Sequence, residues 1–357
     1  MTIEQSPKSR INITLIAPQL PPGSGGMERQ AYLQALALAK KTNLTVCSIS
    51  SDANIFGDAQ LKFIRLRPYK GALSREINAF RLFMAFVLKG LFLKQTIVYC
   101  HQLNLLTFMI LVICRPFKTK IFVKVANSGD KFDLKIMLAR YSFIRPFKSI
   151  LESQNINFLC LSPSNKDDFE ALGMRHVNII PFRNGINLPP KINTEIKGNI
   201  IQYVGRLEPI KEVEYVLRLK KFLPDVDARI IGDGTLFKTL AAKARHVPGV
   251  IMPGEVSTEH VQWHDVEWAI LPSGAEGMSN AILEALANGR GIICRPIASN
   301  RFLTELTDKI IWIEDTPQKV ASQIMKKSGT EASISGAFSQ FSVEHVVDDL
   351  LRIIRST

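Results

Sequence analysis

Short apolar runs recur along the whole chain, each closed by turn residues. In the first half they are Ile11 to Ala17, Leu44 to Ser50, Leu61 to Leu66, Ile97 to His101, Lys120 to Ala126, Phe158 to Ser162 and Val177 to Ile180. In the second half they are Asn199 to Val204, Ala228 to Ile231, Val250 to Met252, Trp268 to Leu271, Gly291 to Cys294 and Ile310 to Ile313. Runs this short, rich in β-branched and aromatic residues, read as strands. Several of the intervals between them carry helical spacing. Met27 to Lys41 carries apolar Tyr32, Leu33, Leu36 and Leu38, and Ser164 to Leu172 opens on a serine suited to an N-cap. Ala281 to Ala287 and Val343 to Ile354 are further helix patterns. Strand and helix alternating in this way predict an α/β fold: parallel sheets with helices on both faces.

The alternation is interrupted between Asn187 and Gly198, where Pro189-Pro190 marks a linker. A chain of 357 residues exceeds one ordinary core. The expected organisation is an N-terminal domain over 1–188, a second domain over 189–340, and a C-terminal helix over 341–357. In such sheets ligands bind beyond the carboxyl ends of the strands.

Candidate chemistry gathers at those ends. After Ala269-Ile270-Leu271-Pro272 comes Ala275-Glu276-Gly277-Met278-Ser279-Asn280, which leads into the helix that carries Glu284. A helix N-terminus offers unpaired N–H groups and partial positive charge to an anion. Carboxylates only accept hydrogen bonds, so they suit hydroxyl donors. Together they suit a ligand that is both phosphorylated and hydroxyl-rich, such as a nucleotide sugar. Gly277 lets backbone approach that ligand closely. The strand at Ile200 to Val204 ends in Gly205-Arg206-Leu207-Glu208-Pro209-Ile210-Lys211. Arg206 provides a planar fork and Lys211 a point charge for phosphate oxygens. Gly232-Asp233-Gly234 follows the next strand, and alone it only connects elements.

These pieces resemble family 4 glycosyltransferases, retaining enzymes of bacterial polysaccharide and glycolipid synthesis with the GT-B fold: two Rossmann-like parallel-sheet domains facing each other across a cleft. The resemblance rests on Gly205-Arg206-Leu207 with Lys211, Gly232-Asp233-Gly234, and Glu276 and Glu284 with Gly277 and Asn280. Asn184-Gly185-Ile186-Asn187 and Gly25-Gly26-Met27-Glu28 complete it. It implies that Arg206 and Lys211 hold the donor diphosphate, that Glu284 binds the ribose, and that Glu276 contacts the transferred sugar. Gly25 and Gly26 would face the phosphates from the other domain. The donor site is therefore expected at Gly25, Gly26, Gly205, Arg206, Lys211, Gly277, Met278, Ser279, Asn280 and Glu284, with Arg206, Lys211 and Glu276 catalytic. The donor would be a UDP- or GDP-linked sugar, used as substrate, with no cofactor. No Asp-rich metal motif stands out, and cations can replace a divalent ion, so no metal is expected.

One segment departs from the family. Where a pair of glycines usually follows the strand at Gly291 to Cys294, this chain has Arg295-Pro296-Ile297-Ala298-Ser299-Asn300. That leaves the sugar unassigned. On the acceptor side, His101 ends one strand, and Ser128 and Asp130 follow the next. A structural histidine and a helix-capping aspartate are the alternative readings.

Charge changes the picture further. The net charge is +13. Residues 1–188 hold 25 Lys and Arg against 11 Asp and Glu, and 189–357 hold 20 against 21, so the whole excess lies in the first half. Ser74 to Lys94 interleaves Phe80, Phe83, Phe86 and Phe92 with Arg75, Arg81, Lys89 and Lys94. Such a segment either packs on the sheet or lies in a membrane interface. An anionic membrane surface is the expected partner, and no nucleic-acid motif accompanies the aromatics. The five scattered cysteines read as reduced core residues. No signal peptide is visible in the polar first ten residues. The expected location is thus cytoplasmic, on the inner face of the cell membrane, with a lipid-linked or oligosaccharide acceptor. A catalytically silent GT-B scaffold and a nucleotide-sugar epimerase remain as alternatives.

Overall fold

The computed structural model describes residues 10–21, 25–71, 73–92, 97–117, 119–257 and 260–357. It divides into two compact units, one of residues 1–185 and 343–357, the other of residues 186–342.

Unit 1 opens with β1 (Asn12–Gln19), α1 (Gly26–Lys41), β2 (Asn43–Ile49), β3 (Lys62–Leu66), α2 (Ser74–Leu88), β4 (Ile97–Cys100) and α3 (Leu105–Cys114). It continues with β5 (Ile121–Val125), α4 (Asp133–Arg140), β6 (Ile156–Cys160), α5 (Asn165–Ala171) and β7 (Asn178–Pro181). The seven strands form one sheet in the order β3-β2-β1-β4-β5-β6-β7, every pairing parallel. Central strands β5 and β6 are buried along their whole length. Their near-continuous apolar runs follow from helices covering both faces.

Unit 2 contains β8 (Ile200–Val204), α6 (Glu214–Lys220), β9 (Asp227–Ile231), α7 (Phe237–Ala244), β10 (Val250–Gly254) and β11 (Val266–Leu271). α8 (Asn280–Ala287), β12 (Gly291–Cys294), β13 (Ile310–Trp312) and α9 (Pro317–Lys327) complete it. Its six-stranded parallel sheet runs β10-β9-β8-β11-β12-β13. The core is built on Trp268, Tyr203, Leu283, Leu286 and Ile293. Asn187 to Gly198 has no regular element but is fixed to unit 2. The buried Arg290 donates from Nη2 to the carbonyls of Asn193 (2.7 Å) and Glu195 (3.0 Å), and from Nη1 to that of Val266 (3.0 Å).

The last helix, α10 (Val343–Ser356), belongs to unit 1 and packs on α1, where Lys41 Nζ pairs with Asp348 at 2.6 Å. It buries Val343, Val346, Val347, Leu350, Leu351 and Ile354, a stripe at helical spacing. Gly185 and Val343, where the chain leaves and re-enters unit 1, lie side by side. A Cβ at position 185 would stand 2.7 Å from the Val343 Cα.

Strand order reverses between β1 and β4 in one sheet and between β8 and β11 in the other. The crevice at such a reversal is where doubly wound sheets bind ligands. The loops after these four strands carry Gly25 and Gly26, His101, Arg206 and Lys211, and Glu276.

Three readings change at the level of elements. The strand expected at Phe158 to Ser162 lies earlier, at Ile156–Cys160, because Asn157 turns inward to the β5 carbonyl of Ile121. Ser164 stands at the start of α5, yet its hydroxyl bonds to that of Ser162 (2.8 Å) and does not cap the helix. The basic segment expected from Ser74 ends its helix at Leu88, and Leu93 and Lys94 lie outside the described residues.

Candidate functional site

In unit 2 the donor candidates come from two neighbouring strand ends. Beyond β8 the backbone of Gly205 to Leu207 is zipped to the turn beyond β9. Gly205 N donates to Ile231 O (3.0 Å), Leu207 N to Asp233 O (2.8 Å) and Leu236 N to Leu207 O (2.9 Å). Gly232 (φ +139°) and Gly234 (φ +155°) make this possible, since a side chain at 232 would strike the Gly205 carbonyl and one at 234 the Leu207 carbonyl. The turn that looked like a mere connector thus supports the Arg206 loop. Tyr203 Oη donates to Arg206 O at 2.8 Å, while the Arg206 side chain itself is exposed. The loop is rigid and its guanidinium is presented to solvent.

A 3₁₀ turn at Pro209–Lys211 then carries Lys211 toward the loop beyond β11, where its Nζ forms an ion pair with Glu276 Oε1. Both side chains are mostly buried, 17% and 12% exposed. Ser273 Oγ donates to the same carboxylate oxygen at 3.1 Å. A cation and a carboxylate so paired can exchange partners with a ligand that presents phosphate and hydroxyl groups. The helix that follows, α8, starts at Asn280, with Ser279 at its N-cap position and no side-chain cap. The N-terminus of the helix therefore directly follows the loop that carries Glu276, Gly277 and Met278. Glu284 sits half-buried on the second turn, on a helix whose apolar face packs through Ile282, Leu283 and Leu286.

Sequence reading missed one partnership here. Glu212, the residue after Lys211, has a left-handed backbone (φ +48°, ψ 34°) and forms an ion pair with Arg295. Arg295 Nε also donates to Pro272 O at 2.9 Å, and Asn300 Nδ2 donates to Arg295 O at 3.0 Å. The unusual segment after β12 is thereby tied to both the Lys211 turn and the Glu276 loop.

In unit 1, Gly25 caps α1 and Gly26 begins it; the Glu28 carboxylate folds back over Gly25, where a Cβ would collide with it. Glu28, Met27, Gln19, His101 and Gln102 line a small crevice beyond β1 and β4. His101 is buried, its Nε2 3.4 Å from the Nζ of Lys124, a lysine fully enclosed in β5. Burial pushes Lys124 down to about 7, and burial together with Lys124 holds His101 well below the usual histidine value, so the imidazole is neutral. Tyr99 Oη donates to Gln34 Oε1 (2.8 Å), and Gln30 pairs with both the N–H and the C=O of Gly185 (3.0 and 2.6 Å).

Ser128 and Asp130 lie in the loop beyond β5. That loop is held by Asp133, which accepts from Ala126 N (2.8 Å), Asn127 N (3.2 Å) and Asn127 Nδ2 (2.7 Å), and by Asp168, which accepts from Gly129 N (3.0 Å). Asp130 is a surface residue paired with Lys135 at 2.8 Å, and that amine lowers its carboxyl. All five cysteines are buried and free. Among the described residues there is no cluster of three or more His, Cys, Asp and Glu able to hold a metal.

Comparison with known proteins bears on the fold and on the sequence of unit 2. Residues 198–327, most of unit 2, match the family model described as "Glycosyl transferases group 1". None of the curated proteins matches the chain in sequence. Among solved structures, HepE of Anabaena in complex with UDP and glucose aligns at a TM-score of 0.73 and 14% identity, over 98% of this chain and 100% of that one. Sucrose-phosphate synthase from Thermosynechococcus elongatus aligns at 0.76 and 16%, over 97% and 99%. A mutant of S. aureus TarM in complex with Fondaparinux, alpha-GlcNAc-glycerol and UDP aligns at 0.70 and 11%, over 96% and 99%. At such identities the likeness establishes the fold, which is GT-B: two Rossmann-like parallel-sheet domains.

Proposed function

We propose that this protein is a retaining glycosyltransferase that moves a sugar from a nucleoside diphosphate to a lipid-linked or saccharide acceptor. The observation that carries the reading is the Lys211–Glu276 pair beside the exposed Arg206 and the start of α8, all within the segment that matches the glycosyl transferase family. The bond from the anomeric carbon to the β-phosphate oxygen breaks, and a bond from that carbon to an acceptor oxygen forms. The acceptor proton leaves with the diphosphate, on the same face. Negative charge grows on the leaving group, so electrostatic stabilisation is the main task. Arg206, Lys211 and the α8 N–H groups are suited to it. Glu276 then exchanges Lys211 for sugar hydroxyls, and Glu284 takes the ribose. HepE in complex with UDP-glucose supports a UDP-linked donor.

For the acceptor side, neutral His101 and the braced loop of Ser128 are the candidates. The basic surface of unit 1 favours a membrane-borne acceptor. Phe80 (57% exposed) shares α2 with Arg75, and Phe143 (65%) and Phe147 (55%) share the 3₁₀ segment Ser142–Glu152 with Arg145 and Lys148. No helix among the described residues is long and apolar enough to cross a membrane, so contact would be peripheral, through anionic headgroups.

The test is a thermal-shift screen with UDP, GDP and their sugar conjugates, followed by product analysis with and without a chelator. Sugar transfer that survives chelation is expected. Formation of an epimer without transfer, or no nucleotide binding at all, overturns the reading in favour of an epimerase or a silent scaffold.

A further inference from the structure

The 3₁₀ turn that carries Lys211 to Glu276 ends at the next residue, where the chain turns sharply. Glu212 makes that turn with φ +48°, one of two non-glycine residues in the left-handed region among the described residues. For a residue with a Cβ this conformation costs roughly 1–2 kcal/mol. It persists only where the surroundings enforce it.

The enforcing contact is visible. The Glu212 carboxylate lies against Gly274, where a Cβ would come within 2.8 Å of its Oε1, and pairs with the Arg295 guanidinium. Both partners are partly exposed, 39% and 30%, so their mutual charge alone contributes little. Geometry contributes more. Arg295 uses one end of its fork on Glu212 and the other on the Pro272 carbonyl (2.9 Å), and its own carbonyl is held by Asn300. Pro272 begins the loop that carries Ser273 and Glu276, the two groups around the Lys211 amine. One guanidinium therefore spans the two chain segments whose ends form the candidate donor site.

We propose that Arg295 is a positioning residue. Seated on the Pro272 carbonyl, it clamps Glu212 in its left-handed turn, and that turn aims Lys211 at the diphosphate. This rests on reading Lys211 and Glu276 as the donor site. It also assigns a purpose to the segment 295–300: the arginine after β12 and the glutamate after Lys211 act as one device.

The test is calorimetric titration of UDP and GDP into the wild type, Arg295→Ala, Arg295→Lys, Glu212→Gly and the double variant Arg295→Ala/Glu212→Gly. Glycine adopts the left-handed turn without a clamp. Arg295→Ala should weaken nucleoside diphosphate binding about tenfold, the equivalent of the ~1.4 kcal/mol strain released when Glu212 relaxes. Arg295→Lys should fall between, since an ammonium cannot hold both acceptors in a fixed fork. Glu212→Gly should bind as the wild type does, and the double variant should match Glu212→Gly within about twofold. That rescue is the decisive readout, because a contact serving only stability would lower the melting temperature of Arg295→Ala and leave affinity alone. Unchanged affinity in Arg295→Ala, or a loss that persists in the double variant, overturns the proposal. If the wild type binds neither nucleotide, the donor-site reading fails. The clamp is then judged from the Lys211–Glu276 coupling in unfolding experiments, obtained from Lys211→Met, Glu276→Gln and their combination. Arg295→Ala should abolish that coupling and the added Glu212→Gly restore it; coupling indifferent to Arg295 overturns the clamp.

Discussion

Lys211 and Glu276, 65 residues apart in sequence, meet as a largely desolvated ion pair at the ends of adjacent strands β8 and β11. Desolvation makes each charge dependent on the other, since breaking a buried pair by removing one partner leaves an uncompensated charge. The pair is thus a structural closure of unit 2 and, in the proposed function, the place where the donor is held.

Replacing Lys211 with Ala should therefore act twice. Nucleoside diphosphate affinity should fall by roughly tenfold to a hundredfold, the range of one charge-assisted hydrogen bond. The melting temperature should also drop, because Glu276 loses its partner. Arg206→Ala should weaken binding without the thermal cost, as its side chain is exposed and its loop is held through the backbone. Calorimetry and thermal denaturation of the two variants distinguish these effects. Equal affinity in wild type and both mutants would remove the donor site from this loop.

The two carboxylates should separate in kinetics. Glu276→Gln keeps a hydrogen-bonding group beside Lys211 and Ser273 but loses the charge, so turnover should fall more than donor affinity. Glu284→Ala should instead weaken binding of the bare nucleotide by about tenfold, a loss typical of one or two hydroxyl–carboxylate hydrogen bonds. Steady-state kinetics with varied donor, alongside nucleotide titration, gives the comparison. A mutant pair indistinguishable from the wild type in both measurements would make the carboxylates structural.

The thirteen strands of the described residues were legible, β6 two residues off; the central ones, β4, β5, β6, β11 and β12, are buried almost throughout, which writes continuous apolar runs into the sequence. α1 and α10 were legible from their stripes, and the strand-end motifs from glycine and charge. The partnerships were not. Nothing in the sequence pairs Glu212 with Arg295 or Lys124 with His101, because side-chain contacts between strand ends depend on strand order and register. The 3₁₀ segment at Ser142–Glu152 was also missed: Pro146 sits inside it, and only Ile144, Ile150 and Leu151 are buried. Lys124 did carry a signal, a lone charge within Ile121-Phe122-Val123-Lys124-Val125, a strand buried along its whole length.

Deep in unit 2, Lys309 and Glu267 form a second pair, 3.0 Å apart and each 3% exposed. Glu267 also accepts from Gly329 N (2.7 Å), and Lys309 donates to Thr330 O (2.6 Å) while lying 4.7 Å above the Trp268 ring centroid. Lys309→Met should cost about 3–5 kcal/mol by stranding the carboxylate. Adding Glu267→Gln should recover much of that, because a neutral amide tolerates burial. Urea unfolding of the three proteins measures the difference. A single mutant that loses less than about 1 kcal/mol would mean that water reaches Glu267.

Lys124 gives stability a pH dependence of defined sign. Its folded value is held down to about 7 by burial, against an ordinary 10.5. Between those values the unfolded chain binds the extra proton, so this residue makes stability rise with pH from about 7 toward 10.5. Below 7 the amine is charged in both states and the full desolvation cost is present. The groups that meet it do not cancel the effect. His101, the ring facing the amine, titrates below its usual range when folded and so contributes only under pH 6.5. Tyr99, its ring tilted against that of His101, is pushed upward by burial, so its phenol stays protonated in the folded state; its own contribution is lost as pH climbs through 10. Lys124→Met removes the amine and keeps most of the volume. The stability of the mutant relative to the wild type, from urea unfolding at pH 7, 8 and 9, should therefore be greatest at pH 7 and shrink steadily toward pH 9. A difference that stays constant over this range would mean that Lys124 keeps its proton in the folded protein.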